Sequence, residues 1–499
     1  MPDRLSPLDV SFLYLEEPST PMHVGSVMVL EPPLGGLDFE RLVRHVAGRI
    51  AFVPRYRQRV RWVPARLANP VWVDDERFDI GYHVRRSALP RPGTQTQLSE
   101  LVARLQARPL DRSRPLWELI VVEGLEEGRV AVVTKVHQAM VDGVQAVDLG
   151  QVVLDDTPDA GDPPAQTWRP ASEPTAVELV VGAVADSVQR PQHVVETVRA
   201  GIGDAREIAG KALETLGGLA FAARTATRPP PRSPLNQDVS EHRRFAMVAT
   251  DLEDYRRIRN HLMAGPARQR RRRAVAGRSG RAAAAATPHV TPVPAVTTSV
   301  NDVVLATLAG ALRSWLLTRR VSVPPASVVR ALVPMSMRVT DPSQVGAVGS
   351  RVGSLLVDLP TGEASPLMRV HQVAYQTKAH REAGQAVDAP AIAGIAGFAP
   401  PTLHSLGARV ASGLSRRLFN LVVTNVPGPQ QPLYLVGARM LATYPVIPLA
   451  RTQALAVGLT SYDGGVYYGL NADREAMGDL DVLGQCIVES LAELRESAR

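Results

Sequence analysis

Residues Ala131 to Gly150, AVVTKVHQAMVDGVQAVDLG, constrain the fold more than any other stretch. Val132, Val133 and Val136 are apolar and β-branched, which predicts a buried strand. Asp142-Gly143 is a turn dipeptide, and the apolar run Val144 to Leu149 reads as the start of a helix. α/β folds place their chemistry where strands end. His137 stands at that end. Taken alone, a histidine beside an Asp-Gly turn is as well read as a satisfied structural group.

Length and composition narrow the setting. A chain of 499 residues has ample material for a large core and more than one domain. Apolar content of 45% and charged content of 21% are ordinary for a globular protein. The single cysteine, Cys486, excludes an intramolecular disulfide and a Cys-rich metal site. That usage fits a reducing, cytoplasmic compartment. The N-terminal MPDRLSPLDVSFLYLEEP lacks the apolar centre of a signal peptide. No run of about 18 uncharged apolar residues occurs, so no transmembrane helix is expected and any membrane contact is peripheral. The formal charge is +7, almost all of its positive part arginine, which favours anionic partners.

Along the chain, Leu42, Val46 and Ile50 recur at helical spacing. Arg55, Arg57, Arg59 and Arg61 alternate and would line one face of a strand. Phe78 to Val84 reads as a short strand, and Leu98 to Leu105 as a helix. The composition shifts near 156, where Asp155 to Pro174 is rich in Pro, Asp and Ala. Val177, Val180, Val181, Val184 and Val188 then form an apolar helical stripe, continued by Val194, Val198 and Ile202. Leu252 to Leu262 predicts a helix. The stretch from 265 to 298 is rich in Arg, Ala and Pro and reads as a disordered, solvated insertion. Without aromatics among its arginines it gives no reason to expect nucleic acid. Asn301 and Asp302 would cap the helix VVLATLAGALRSWLL. Strands follow over Val328 to Val333, before Met337-Arg338, and over Phe419 to Val426, which closes on Asn425-Val426-Pro427-Gly428-Pro429. Leu455 to Tyr462 and Val466 to Asn471 read as a hairpin, and the last helix carries Leu483, Ile487, Leu491 and Leu494 on one face.

Three blocks, SRPLWELIVVEGL with the motif that follows it, NDVVLA and NVPGP, resemble the bacterial wax ester synthase/diacylglycerol acyltransferase family. That family belongs to the CoA-dependent acyltransferases that carry an HHxxxDG motif. The resemblance covers nearly the whole chain except about 156–230 and 265–298. It implies two chloramphenicol-acetyltransferase-like α/β domains, each a mixed sheet flanked by helices. The domains would span 1–155 and 234–499, joined by a helical crossover over 156–233, with a tunnel between them. It also implies acyl transfer from acyl-CoA to diacylglycerol or a long-chain alcohol, with no metal or bound cofactor. The place of action would be the inner membrane face or a lipid inclusion.

The motif here reads His137, Gln138, Ala139, Met140, Val141, Asp142, Gly143. Gln138 stands where the family places its catalytic base. A neutral imidazole takes a proton near neutral pH, whereas an amide only donates or orients. Weak turnover would then rest on His137 re-aimed or on Gln138 orienting a hydroxyl. The resemblance gives Asp142 a structural role, paired with an arginine (Arg112 or Arg114), and gives Gly143 a backbone role. It places Asn301, Asp302, Arg338 and Asn425 among substrate-binding residues. An acyl-lipid or acyl-CoA-binding protein without catalysis is the alternative reading.

Overall fold

The computed structural model describes residues 3–141, 149–159, 161, 168–189, 233–276, 298–337, 351–382, 387–388 and 418–498. The first half opens with α1 (Pro7–Leu15), β1 (His23–Glu31), α2 (Phe39–Ile50), β2 (Gln58–Arg61), β3 (Val71–Asp74), α3 (Ile80–His83) and β4 (Val84–Ala88). It continues with α4 (Gln95–Ala107), β5 (Trp117–Glu123), β6 (Val130–His137), α5 (Gln138–Val141), α6 (Leu149–Val153) and α7 (Ala176–Gln189). The second half holds β7 (Arg243–Asp251), α8 (Leu252–Ala276), α9 (Val300–Thr318), β8 (Val329–Met337), β9 (Arg351–Leu359), α10 (Pro366–Glu382) and β10 (Val387–Asp388). It ends with β11 (Leu421–Pro427), β12 (Tyr434–Leu435), β13 (Ala438–Val446), β14 (Leu455–Tyr462), β15 (Gly465–Asp473) and α11 (Leu480–Ser497).

Two mixed sheets carry the structure. The first has the order β12-β13-β1-β6-β5-β4, the second β10-β9-β8-β11-β14-β15-β7. β4 pairs with β5 in parallel, and β8, β11 and β14 are parallel neighbours; the other pairs are antiparallel. The first sheet is not built from the first half alone. β13 crosses from the second half and runs antiparallel to β1, from Gly25 opposite Val446 to Glu31 opposite Arg439. β13 also packs closely on β14 and β15, where glycines leave room for Pro445. A Cβ on Gly469 would lie 1.8 Å from the Pro445 carbonyl oxygen, and one on Gly458 2.9 Å from the Pro445 side chain.

Each sheet has its own core. β6 is buried along its whole length, as a central strand with both faces covered must be. Trp117, Leu119, Val132 and Val136 pack on α1 and α2 through Leu13, Leu42 and Val46. Val27, Ile120, Ala131 and Val133 pack on α4 through Leu98 and Val102, and meet Phe245 and Met247 of β7. The second core gathers around α9, with Val303, Leu308, Leu312 and Trp315 fully buried. α9 is long and apolar enough to cross a membrane, but most of it is buried in this core. Cys486 lies there too.

Four local expectations differ. Arg55 and Arg57 lie in a 3-10 turn, Pro54–Arg57, so the alternating arginines do not share a strand face. Arg57 is buried and its guanidinium lies over Trp168, with Arg55 over Trp72. Residues 80–83 are a helical turn, because the Asp79 carboxylate accepts from Gly81 N–H at 2.9 Å and caps it. Ser299, not Asn301, caps α9, with Asp302 completing a capping box. α8 runs on to Ala276, past Gly265-Pro266 and into the stretch expected to be irregular. The second part of the crossover, 190–232, and residues 277–297 lie outside the described residues.

Candidate active site

β6 ends at His137 and α5 begins at Gln138, so the two motif residues straddle a strand-to-helix change. Backbone hydrogen bonds hold both. His137 N–H donates to the Leu116 carbonyl at 2.9 Å, and Gln138 N–H to the Met22 carbonyl at 2.9 Å. The His137 ring is fully buried. Its Nδ1 accepts the Ala139 N–H at 3.1 Å, so the neutral ring carries its proton on Nε2. That nitrogen lies 3.6 Å from Oε2 of Glu16.

Glu16 is the hub beneath the motif. Its Oε1 accepts the Met22 N–H at 3.1 Å, and its Oε2 accepts Arg112 Nη2 at 2.6 Å and Nε at 3.0 Å. Arg112 also donates to the Leu13 carbonyl at 2.8 Å. Burial alone would raise the Glu16 pKa, but His137 and Arg112 outweigh it and hold the carboxyl at about 2. Arg112, one of the two arginines considered for Asp142, is thus engaged by Glu16. Arg114 lies 3.6 Å from Asp111 and over the Tyr82 ring. Asp142 and Gly143 lie outside the described residues.

The His137 lone pair is spent on Ala139, and its other nitrogen faces a carboxylate inside the protein. In this arrangement the ring offers no free base to a substrate. The Gln138 side chain is half-buried and makes no hydrogen bond among the described residues. It can therefore donate its N–H groups or accept a hydroxyl proton in a hydrogen bond.

Nearby polar groups are structural. His23 stands opposite His137 in the β1–β6 register, and its ring bonds the Gln106 carbonyl at 2.9 Å. Burial pushes its pKa well below the ordinary value. Lys135, also buried, donates to the Leu105 and Arg108 carbonyls at the end of α4. Burial lowers its pKa to about 8. His83 is stacked between Phe78 and Trp117, its Nδ1 bonded to the Trp117 carbonyl at 2.8 Å.

The loop between α1 and β1 is gripped from the second half. Arg243 of β7, itself buried, donates to the Ser19 carbonyl, and Arg451 lies 3.4 Å from Glu17. Since Met22 holds Gln138, the motif is braced by both halves.

On the second sheet, Asn425 near the end of β11 donates from Nδ2 to Oδ1 of Asn301 at the start of α9, at 2.8 Å. Both are half-buried, which leaves the Asn301 NH2 group and the Asn425 carbonyl oxygen as further polar groups. Asp302 is different. Its two oxygens accept from Ser299 N–H, Ser299 Oγ and Thr377 Oγ1, each at 2.7 Å, and it is buried. It is spent on holding α9, so the structure gives it a positioning role. Arg338 lies outside the described residues. The sequence reading missed Glu16 because its partner Arg112 is 96 positions away. The only local signal was an acidic pair before a proline in LEEPST.

This pair of mixed sheets, with a strand-to-helix histidine motif at one strand end, has the α/β architecture of the acyltransferases that the chain resembles. The wax ester synthase/diacylglycerol acyltransferase catalytic domain matches residues 5–265, and the WS/DGAT C-terminal domain matches residues 348–495. The chain is 46% identical over 260 residues to the probable diacylglycerol O-acyltransferase tgs3 of Mycobacterium tuberculosis, covering 52% of this chain and 96% of that one. It is 32% identical over 505 residues to the probable diacylglycerol O-acyltransferase tgs2 of the same organism, covering 99% of each. The solved wax ester synthase/diacylglycerol acyltransferase from Marinobacter aquaeolei VT8 superposes with a TM-score of 0.66 at 27% identity, over 99% of both chains. The chain belongs to the wax ester synthase/diacylglycerol acyltransferase family. The expected pair of chloramphenicol-acetyltransferase-like halves is present, with β12 and β13 of the second half completing the first sheet.

Proposed function

We propose that this protein transfers an acyl group from acyl-CoA to the hydroxyl of diacylglycerol or a long-chain alcohol, without a metal or bound cofactor. The family match along both halves carries the reading. The ester C–O bond forms as the thioester C–S bond breaks, and the hydroxyl proton ends on the CoA thiol. Gln138 lies beside the reacting groups and orients the hydroxyl or donates to the developing oxyanion. It takes no proton, so turnover is slow. His137 serves as a structural ring, locked by Ala139 and Glu16. Asn301 and Asn425 supply polar contacts from the second sheet. We place the reaction on the cytoplasmic side, at the membrane or a lipid inclusion, where a diacylglycerol acceptor resides.

The absent base also favours a second reading, a homologue that binds acyl-CoA or acyl lipid without turning it over. Gln138→His separates the two. A positioned general base contributes on the order of a hundredfold to ten-thousandfold. With labelled palmitoyl-CoA and diolein, the variant should gain at least the lower end of that range. If it stays inert while still binding palmitoyl-CoA, the binding reading holds.

A further inference from the structure

Among the described residues, the groups around the motif that could take a proton are buried and already engaged. Those that feel His137 or its partners include Asp9, Glu16, His23 and Lys135. Asp9 accepts the Ser6 N–H in the capping box of α1. Glu16 is held as a carboxylate by Arg112, which makes it a poor base. The His23 ring bonds the Gln106 carbonyl. Lys135 donates to two carbonyls at the end of α4, and as an ammonium it has no lone pair to give. His137 spends its lone pair on the Ala139 N–H. From residue 137 to residue 140, only Gln138 is not fully enclosed. The group that the motif presents is therefore a neutral amide.

Such a site suits a nucleophile that brings its own lone pair. An alkanol hydroxyl is about as weak an acid as water, whose pKa is about 15.7, so it attacks a thioester well only as a base takes its proton. A primary amine needs no proton removed by the protein before it attacks. Its ammonium form, with an ordinary pKa of about 10.4, loses a proton to solvent, and a half-buried site disfavours the charged form. The Gln138 Oε1 can then accept one N–H and aim the nitrogen lone pair at the carbonyl carbon.

We propose that this protein, as a further activity, acylates a primary amine carried on a long apolar chain, with Gln138 orienting the amine. The proposal rests on the acyl-CoA donor proposed above and changes only the acceptor, nitrogen standing where the alcohol has oxygen. The amine nitrogen attacks the thioester carbonyl carbon. The C–N bond forms as the C–S bond breaks, and the proton released from nitrogen ends on the departing CoA thiolate. The products are a fatty amide and the CoA thiol. A thiolate acceptor would also need no base, but it only exchanges one thioester for another and gains no free energy.

The test offers labelled palmitoyl-CoA with either hexadecylamine or hexadecanol in mixed micelles, with the rate in the absence of protein subtracted. At about pH 9, where roughly one such amine in 25 is neutral, the unmodified protein should form amide at least about tenfold faster than ester. Below the pKa of the amine, the amide rate should rise about tenfold per pH unit, as one deprotonation requires. With glycine hexadecyl ester, whose α-amino group titrates near about 7.8, the break in that profile should move down with the acceptor. In Gln138→His the ester should gain about a hundredfold or more from its positioned base, so the preference for amide should fall at least about tenfold. Ester formed as fast as amide by the unmodified protein would overturn the proposal and leave hydroxyl transfer standing. A pH break that stays in place when the acceptor changes would overturn it by exposing a base on the protein. Neither product, with palmitoyl-CoA still bound, would overturn both transfer readings in favour of binding alone. The comparisons on the unmodified protein decide the matter whether or not the variant folds.

Discussion

Replacing Glu16 with Gln tests the electrostatic hub under the motif. The side chain is 5% exposed and keeps nearly the same shape on substitution, so the change removes charge and little packing. In the folded protein the carboxyl is held at about 2, against an ordinary 4.5, with His137 and Arg112 overcoming burial. Such a depression is worth roughly 3 kcal/mol of stability at neutral pH. The sign follows from the direction. A lowered carboxyl pKa stabilises the fold fully above about pH 4.5 and loses that contribution as pH falls toward 2. By pH 3.5 about 2 kcal/mol of it remains. Glu16→Gln should therefore lower stability by about 3 kcal/mol at pH 7, about 3 °C in melting temperature for a chain of this length. The gap to the unmodified protein should narrow measurably at pH 3.5. Paired urea titrations and thermal scans at the two pH values are the assay. A gap that stays flat with pH, or one under about 1 kcal/mol at neutral pH, would refute the account of Glu16 as an ionised hub.

Other substitutions test other contacts. A Cβ on Gly310 of α9 would lie 1.9 Å from Nη1 of the buried Arg369 and 2.2 Å from Ser490 Oγ. Gly310→Ala should push the buried Arg369 guanidinium away from the half-exposed Glu493 and cost about 2 kcal/mol in denaturant unfolding, as overpacking does. Gly469→Ala should drive β13 off β15 by closing on the Pro445 carbonyl and cost more than about 3 kcal/mol. Gly464→Ala in the exposed hairpin turn, where only a positive φ is at stake, should cost about 1 kcal/mol. Asn425→Ala removes one half-buried hydrogen bond and should cost about 1 kcal/mol or less in stability. In a Gln138→His background, a tenfold or greater fall in kcat/KM for the same change would mark the Asn301–Asn425 pair as a substrate contact.

Much of the secondary structure was legible from pattern. The hairpin of β14 and β15 closes on Asp463 and Gly464, both with positive φ, as an Asp-Gly pair between alternating strands predicts. α2 and α4 follow their apolar spacing and begin at side-chain caps, Asp38 and Thr94. Local capping was harder to read. Both Ser299 and Asn301 are good caps by type, and only the backbone turn selects Ser299. The Arg55 to Arg61 alternation misled because Pro54 starts a tight turn and the strand begins only at Gln58.

The sequence by itself determined the class of fold, through the blocks that resemble the family. Periodicity, turn dipeptides and caps are set by neighbours a few residues apart, and the HQAMVDG stretch carries the family's signature along with its missing base. Tertiary structure decided what His137 and Gln138 are free to do. Only the fold brings Glu16 and Arg112 under His137, sets Ala139 N–H on its ring and leaves the Gln138 side chain without a hydrogen bond among the described residues. Only the fold carries Ala438–Val446 into the first sheet and joins Asn301 to Asn425. Those contacts depend on the three-dimensional approach of segments far apart in the chain. No local pattern encodes that approach, because each partner taken alone satisfies the same local rules as a solvated residue.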